Sequence, residues 1–419
     1  MIVRARGLLP ISQPLIENGA LVISDGHIQA VGAWPDLRRN HAGTVVDLGP
    51  AIILPGLVNA HCHLDYTGMA GLVRQPKVFS DWIKELVALK AAWGYSEYAC
   101  SWLSGASMLL RGGMTTVVDI EAIPELLPEV WTSTPLRVIS FLELLNVRSW
   151  HSAHSIVREA EAKLVSLAQG EGRVGLSPHA PYTTSPELLR QAAASARKHG
   201  WPLTTHVAES REEFDMFTRR EGPLFDWLSG QRDVSACGPG SPVRFLANQG
   251  LLGPDFLAVH VNYLTDGDTR LLADHRTSVV HCPRSHSFFR HQRFPLEQLL
   301  AAGINVCLGT DSLASVVATR GKPAELDLFA EMQTLAAHEP ELSAETIVRM
   351  ATLNGARALR LERTLGTLEI GACADLIAVP FRGQASTAYE AVLTHQGPVP
   401  ASMIGGRWVM TPEGASWPK

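Results

Sequence analysis

The sequence predicts an α/β protein: a (β/α)8 barrel of the TIM type, with a small β-sandwich built from both chain ends. Three observations predict it. Eight short apolar stretches are spread over about 300 residues, several of them preceded by a helical stretch that ends near a glycine, and hairpin-like strands crowd the first and last 55 or so positions. With 419 residues, 46% hydrophobic and 18% charged, the chain has ample material for one large core and a smaller one.

Positions 1–55 read as short strands with tight turns, and 20–23 and 27–31 flank Asp25-Gly26, a hairpin signal. Strand candidates then follow at 57–63, 115–120, 136–144, 173–179, 202–208, 256–262, 277–282 and 304–311. Gly112-Gly113, Gly200 and Gly303 each close a helical stretch ahead of one of them. The alternative is a doubly wound nucleotide-binding sheet, but no GxGxxG follows an early strand. At the C-terminal end, 375–379 reads as a buried strand, and Gly405-Gly406 separates 401–404 from 407–410. Neither end holds strand enough for its own core. Positions 1–55 and 362–419 are therefore expected to pair into one sandwich beside a barrel at 56–361.

The charge balance, 36 basic against 41 acidic residues, leaves no basic stripe for a phosphate backbone, so nucleic acid is not an expected partner. No apolar run approaches the roughly 18 residues a spanning helix needs, and the first residues lack a leader pattern. Six cysteines without CxxC spacing suggest reduced thiols and a cytoplasmic location. The remaining partner is a small-molecule substrate, and a homo-oligomer is compatible with the sequence without being specified by it.

Sixteen histidines stand out, because several converge. His61-Cys62-His63 ends the first barrel strand, where a period of two puts both imidazoles on one face. His206, His260, His281 and Asp311 end the fifth, sixth, seventh and eighth strands. Any one of these alone reads as an ordinary core histidine. At the shared mouth of a barrel, however, five imidazoles and a carboxylate can partner only one another or a metal.

Several ordered motifs carry a wider resemblance. Pro55-Gly-Leu-Val-Asn-Ala-His-Cys-His63, Pro178-His-Ala-Pro-Tyr-Thr183, Thr205-His-Val-Ala-Glu209, Val280-His-Cys-Pro-Arg-Ser285 and Leu308-Gly-Thr-Asp-Ser312 resemble the strand-end motifs of the amidohydrolase superfamily. Ala351-Thr-Leu-Asn-Gly-Ala-Arg357 and Gly366-Thr-Leu-Glu-Ile-Gly371 resemble its C-terminal signature. The most similar branch holds S-adenosylhomocysteine and methylthioadenosine deaminases, aminodeoxyfutalosine deaminases, guanine deaminase and triazine hydrolases.

The resemblance implies a metal held by His61, His63, His206 and Asp311. Binuclear relatives add a carboxylated lysine on the fourth strand. Arg173-Val-Gly-Leu-Ser-Pro-His179 has none, which implies one divalent ion, zinc first and iron(II) second. Glu209 would protonate the ring nitrogen beside the attacked carbon, His260 would bond the attacking water, and Asp311 would pass its proton to the leaving group. His179 and His281 would line the substrate site, Trp82 would give it an aromatic wall, and Arg148 would pair with a substrate carboxylate. His286 departs from the pattern, since relatives usually carry Asn there. The implied reaction is hydrolytic deamination of a purine-like ring, of a 5'-substituted adenosine foremost. Guanine deamination, hydrolysis of a triazine or cyclic amide, and a non-catalytic scaffold barrel are the alternatives. HExxH, GxSxG, Walker A and PCxxC motifs are absent, so other hydrolytic chemistries lack their signatures.

Overall fold

The computed structural model describes residues 1–147, 152–167, 173–317 and 323–411. Eight parallel strands lie side by side in chain order: Leu57–Cys62, Met114–Glu121, Arg137–Leu144, Arg173–Pro178, Leu203–Val207, Phe256–His260, Ser278–His281 and Val306–Leu308. A parallel bridge between Cys62 and Asp311 joins the eighth back to the first. The backbone N–H groups of Thr310 and Asp311 both donate to the His61 carbonyl, at 3.0 and 3.1 Å. The expected barrel is present. Its eighth strand is shorter than the expected 304–311, pairing beyond Leu308 being limited to this single bridge.

Side chains alternate across the barrel wall. Val58, Val118, Phe141, Leu257, Val280 and Cys307, from six different strands, form one cluster, and only the interior lets them meet. Leu57, Val117, Leu142, Val279 and Val306, of the opposite parity, pack against the surrounding helices. Helix Pro186–His199 shows how the chain punctuates these units. Ser185 Oγ accepts the Leu188 N–H at 3.2 Å, and Gly200, at φ +69°, ends the helix before the fifth strand.

The chain ends form two further sheets. One has six strands, in the order Arg407–Met410, Ala401–Ile404, Leu376–Pro380, Ala51–Pro55, Gly7–Leu8, Ile16–Glu17, so both ends of the chain pair within it. The other has four strands, His27–Ala33, Gly19–Ser24, Ile2–Arg4 and Val45–Asp47, all N-terminal. The N-terminal segment thus builds a whole sheet alone. Its hairpin turns at Asp25 and Gly26, with φ of +52° and +76°, which suits a two-residue turn between twisted strands. Ile53, Leu376 and Ala378 face the four-stranded sheet, while Ile52, Leu54, Ile377 and Val379 join the core around the barrel. Gly56 joins the six-stranded sheet to the first barrel strand, where any Cβ would fall 2.1 Å from Thr115 Oγ1.

Candidate active site

The residues at the strand ends converge. The His61 ring lies 5.0 Å from His63, 4.9 Å from His206 and 5.8 Å from His260, centroid to centroid. The Nε2 atoms of His63 and His206 are 3.3 Å apart, and Asp311 Oδ1 lies 3.7 Å from His61 Nε2 and 3.8 Å from His63 Nε2. Ligand atoms of His61, His63 and Asp311 all fall within 4.8 Å of one another, as do those of His61, His206 and His260 and those of Glu209, His260 and Asp311. All are buried.

These residues fit a cation. Neither nitrogen of His61 has a hydrogen-bond partner, and nor does His260 Nε2. Buried imidazole atoms rarely stay unpaired without reason. His206 Nδ1 donates to the His179 carbonyl at 2.9 Å, which leaves its Nε2 lone pair facing the cluster. Burial holds the His63 and His206 rings well below their usual pKa and takes His260 down to about 3, so all three are neutral at pH 7, the form that binds metal.

The framework around the cluster is fixed from behind. Asp311 Oδ2 accepts from Ser285 Oγ at 2.6 Å and Ser315 Oγ at 3.1 Å, and Oδ1 accepts from the Ser312 N–H at 2.8 Å. Asn59 clasps Thr310 across the barrel seam, donating to its Oγ1 at 2.8 Å and accepting its N–H at 3.1 Å. Gly309 is required there, since a Cβ would sit 2.8 Å from His61 Cβ. His260, Val261, Ala208 and Asp311 all have φ between +50° and +75°, strain that collects where strands give way to the site.

Glu209 follows the fifth strand and is buried, with Oε1 3.7 Å from His260 Nε2. Burial first, then the charges of Asp311 and Glu213, pushes its pKa well above the usual carboxyl range. Its turn is held by Glu213, whose two carboxyl oxygens accept the N–H groups of Ala208 and Glu209 at 3.0 and 2.9 Å. Ser210 in turn caps helix Arg211–Arg219 by accepting the Glu213 N–H at 3.1 Å. A cavity of about 590 Å³ opens from Glu209, His63, His206 and Asp311 toward solvent.

The Amidohydrolase family profile matches residues 52–409. The chain belongs to the amidohydrolase family. A 5-methylthioadenosine/S-adenosylhomocysteine deaminase of Syntrophobacter fumaroxidans is 32% identical over 389 residues, covering 87% of this chain and 81% of that protein. A 5'-deoxyadenosine deaminase of Methanosarcina acetivorans is 29% identical over 380 residues, 88% of this chain and 81% of the relative. The crystal structure of an adenosine deaminase from Xanthomonas campestris, with bound zinc, superposes with a TM-score of 0.83 at 26% identity, covering 98% of this chain and 92% of that one.

The amidohydrolase's other expected contacts divide. His179 and Trp82 line the cavity. His179 Nδ1 bonds Thr183 Oγ1 at 2.7 Å, and Trp82 Nε1 donates to the Ala314 carbonyl at 3.2 Å, which fixes the indole at the cavity wall. His281 ends the seventh strand and is buried. Val280 and Cys282 on either side of it belong to the interior cluster, so its ring points the other way and stacks on Phe294 at 3.8 Å. Arg148 lies outside the described residues. His286 Nδ1 bonds Asn262 Oδ1 at 3.1 Å, and Asn262 Nδ2 donates to the Glu209 carbonyl at 2.8 Å, so His286 steadies the same turn from the seventh strand's side.

Sequence reasoning missed Glu143, Lys90 and Glu213. Glu143 shares the parity of the interior residues Ile139 and Phe141 at the C-terminal end of the third strand, a signal readable in Phe141-Leu-Glu143. Ser210-x-x-Glu213 is a capping-box pattern directly after Glu209. Lys90, the last residue of helix Phe79–Lys90, carried no comparable signal.

Proposed function

We propose that this amidohydrolase hydrolytically deaminates adenosine-type nucleosides, using one divalent cation held by His61, His63, His206 and Asp311. The observation that carries the reading is Glu209, a buried carboxyl with a raised pKa beside the converging imidazoles and on the wall of the cavity. The relatives' names support it, since each is a deaminase acting on an adenosine or its derivative. Three imidazoles and one carboxylate suit zinc, as does the zinc in the Xanthomonas structure, and the fourth strand Arg173–Pro178 offers no lysine to bridge a second ion.

When bound, the cation supplies Lewis acidity that lets water attack near neutral pH. His260 Nε2, neutral and without a partner, orients that water by accepting its hydrogen bond. Glu209 donates its proton to the ring nitrogen next to the attacked carbon, which absorbs the electron density that addition pushes onto the ring. Asp311, fixed by two serine hydroxyls, carries the water's proton to the exocyclic amine. The bond from carbon to that amine then breaks and ammonia leaves. All six cysteines are unpaired, which supports a reducing, cytoplasmic setting.

Metal-replete protein should release ammonia from adenosine, 5'-deoxyadenosine and 5'-methylthioadenosine, followed by coupled assay and by the ultraviolet shift from adenine to hypoxanthine. Activity on none of these, with turnover of a triazine or cyclic amide instead, would overturn the reading.

A further inference from the structure

Glu143 is a buried carboxylate that the mechanism does not use. Its side chain is 4% exposed and lines the cavity. Lys90 Nζ lies 4.0 Å from its Oε2 and His179 Nε2 lies 4.0 Å from its Oε1, both beyond hydrogen-bond reach. Lys90 instead bonds Tyr66 Oη, and His179 spends its other nitrogen on Thr183. Among the described residues no donor reaches the Glu143 carboxylate. A carboxylate this enclosed needs donors, and on the cavity wall it takes them from what fills the cavity, water in the free protein and the ligand's own donors in the complex.

Two features define those donors. The Lys90 charge beside Glu143 opposes a cationic ligand group, which favours neutral hydroxyls over an ammonium. The place is also informative, because the His179 ring stands 4.9 Å from the His206 ring and its Nε2 lies 4.0 Å from Glu143, which puts Glu143 one imidazole out from the reaction centre. The part of a nucleoside that adjoins its base is the ribose, whose neighbouring hydroxyls can each meet one carboxylate oxygen. Farther out the wall turns apolar, with Val87 and Leu145 57% and 44% exposed at the mouth. An uncharged 5'-substituent suits that rim.

We propose that Glu143 is a specificity-determining residue that accepts hydrogen bonds from the 2'- and 3'-hydroxyls of the substrate ribose, with the Val87 and Leu145 rim covering an apolar 5'-group. The proposal rests on the nucleoside deaminase reading above. It is tested by measuring kcat/KM of wild type and Glu143→Gln on 5'-deoxyadenosine, 2',5'-dideoxyadenosine and 3',5'-dideoxyadenosine. Wild type should prefer the ribonucleoside over each dideoxy compound by about tenfold or more, the scale of a hydrogen bond to a charged acceptor. Glu143→Gln should lose most of that preference, its defect being larger on the ribonucleoside than on either dideoxy compound. Equal wild-type rates on all three substrates would overturn the proposal without recourse to the variant. So would an equal loss by the variant on all three, and in both cases the deaminase reading stands. Wild type inactive on every nucleoside would overturn both.

Discussion

A carboxyl group can donate a proton near neutral pH only where its charged form is disfavoured, and the surroundings of Glu209 meet that condition. Burial and the neighbouring carboxylates Asp311 and Glu213 raise its pKa, and His260, neutral at pH 7, offers no compensating charge. Gln at this position keeps the shape and cannot transfer the proton. Glu209→Gln should therefore retain its metal and its fold while losing about 10²-fold or more in kcat. A metal-replete variant with near wild-type turnover would place the proton donor elsewhere. The proposed ligands make a separate expectation. Protein purified without chelator should carry about one equivalent of metal, and His61→Ala should lower metal content and activity together. Two tightly bound equivalents would contradict a single-cation centre.

At the scale of elements, the turn after the fifth strand shows how the proposed proton donor is held by a helix start. The two Glu213 oxygens occupy the N–H groups of Ala208 and Glu209, and Ala208 sits at φ +50°, a conformation that needs such support. Glu213→Gln leaves one oxygen for two donors and turns an amide N–H₂ toward the other. We expect helix content to persist and kcat to fall about tenfold or more with KM changed far less, since small misplacements of a reacting group are costly. A fall confined to thermal stability would show that Glu213 supports the fold and not the position of Glu209. The strands themselves were legible because five of the apolar runs, the first and the fifth to eighth, end in His or Asp, and parity and order followed. Parity also sets what a strand-end position alone leaves open, since His281 lies between the inward residues Val280 and Cys282 and stacks on Phe294. Glu143 stands as one polar residue within the apolar stretch Phe141-Leu-Glu-Leu144, and the parity it shares with Phe141 is the one sign in the sequence that it faces inward. The N-terminal sheet is harder to read, because its hairpin is completed by Ile2–Arg4 and Val45–Asp47, two three-residue strands far apart in sequence.

Across the whole molecule, barrel and terminal sheets share one core, and buried acids distributed through it couple folding to pH. The strand Leu376–Pro380 presents Ile377 and Val379 to the barrel side, and Arg137 at the start of the third barrel strand grips Asp375 through contacts of 3.1 to 3.3 Å. Within this frame burial raises Asp119 to about 7 and Glu331 to about 8. Each keeps a proton in the folded chain that the unfolded chain releases near pH 4. The folded state thus binds more protons between about pH 4 and 8, and these groups withdraw stability as pH rises through that window. Glu331 isolates the effect, because it lies on helix Leu328–His338, outside the proposed ligand set, with Oε2 accepting the Arg284 N–H at 2.8 Å. Gln can accept the same bond without titrating. The stability of Glu331→Gln relative to wild type should therefore improve as pH rises from about 5.5 to 8, by more than about 1 kcal/mol, given roughly 1.4 kcal/mol per pH unit for one proton. Denaturant melts of both proteins at several pH values measure this difference. A difference that stays constant across the range would mean that Arg284, 3.7 Å from Glu331 Oε1, keeps the carboxylate ionised in the folded chain.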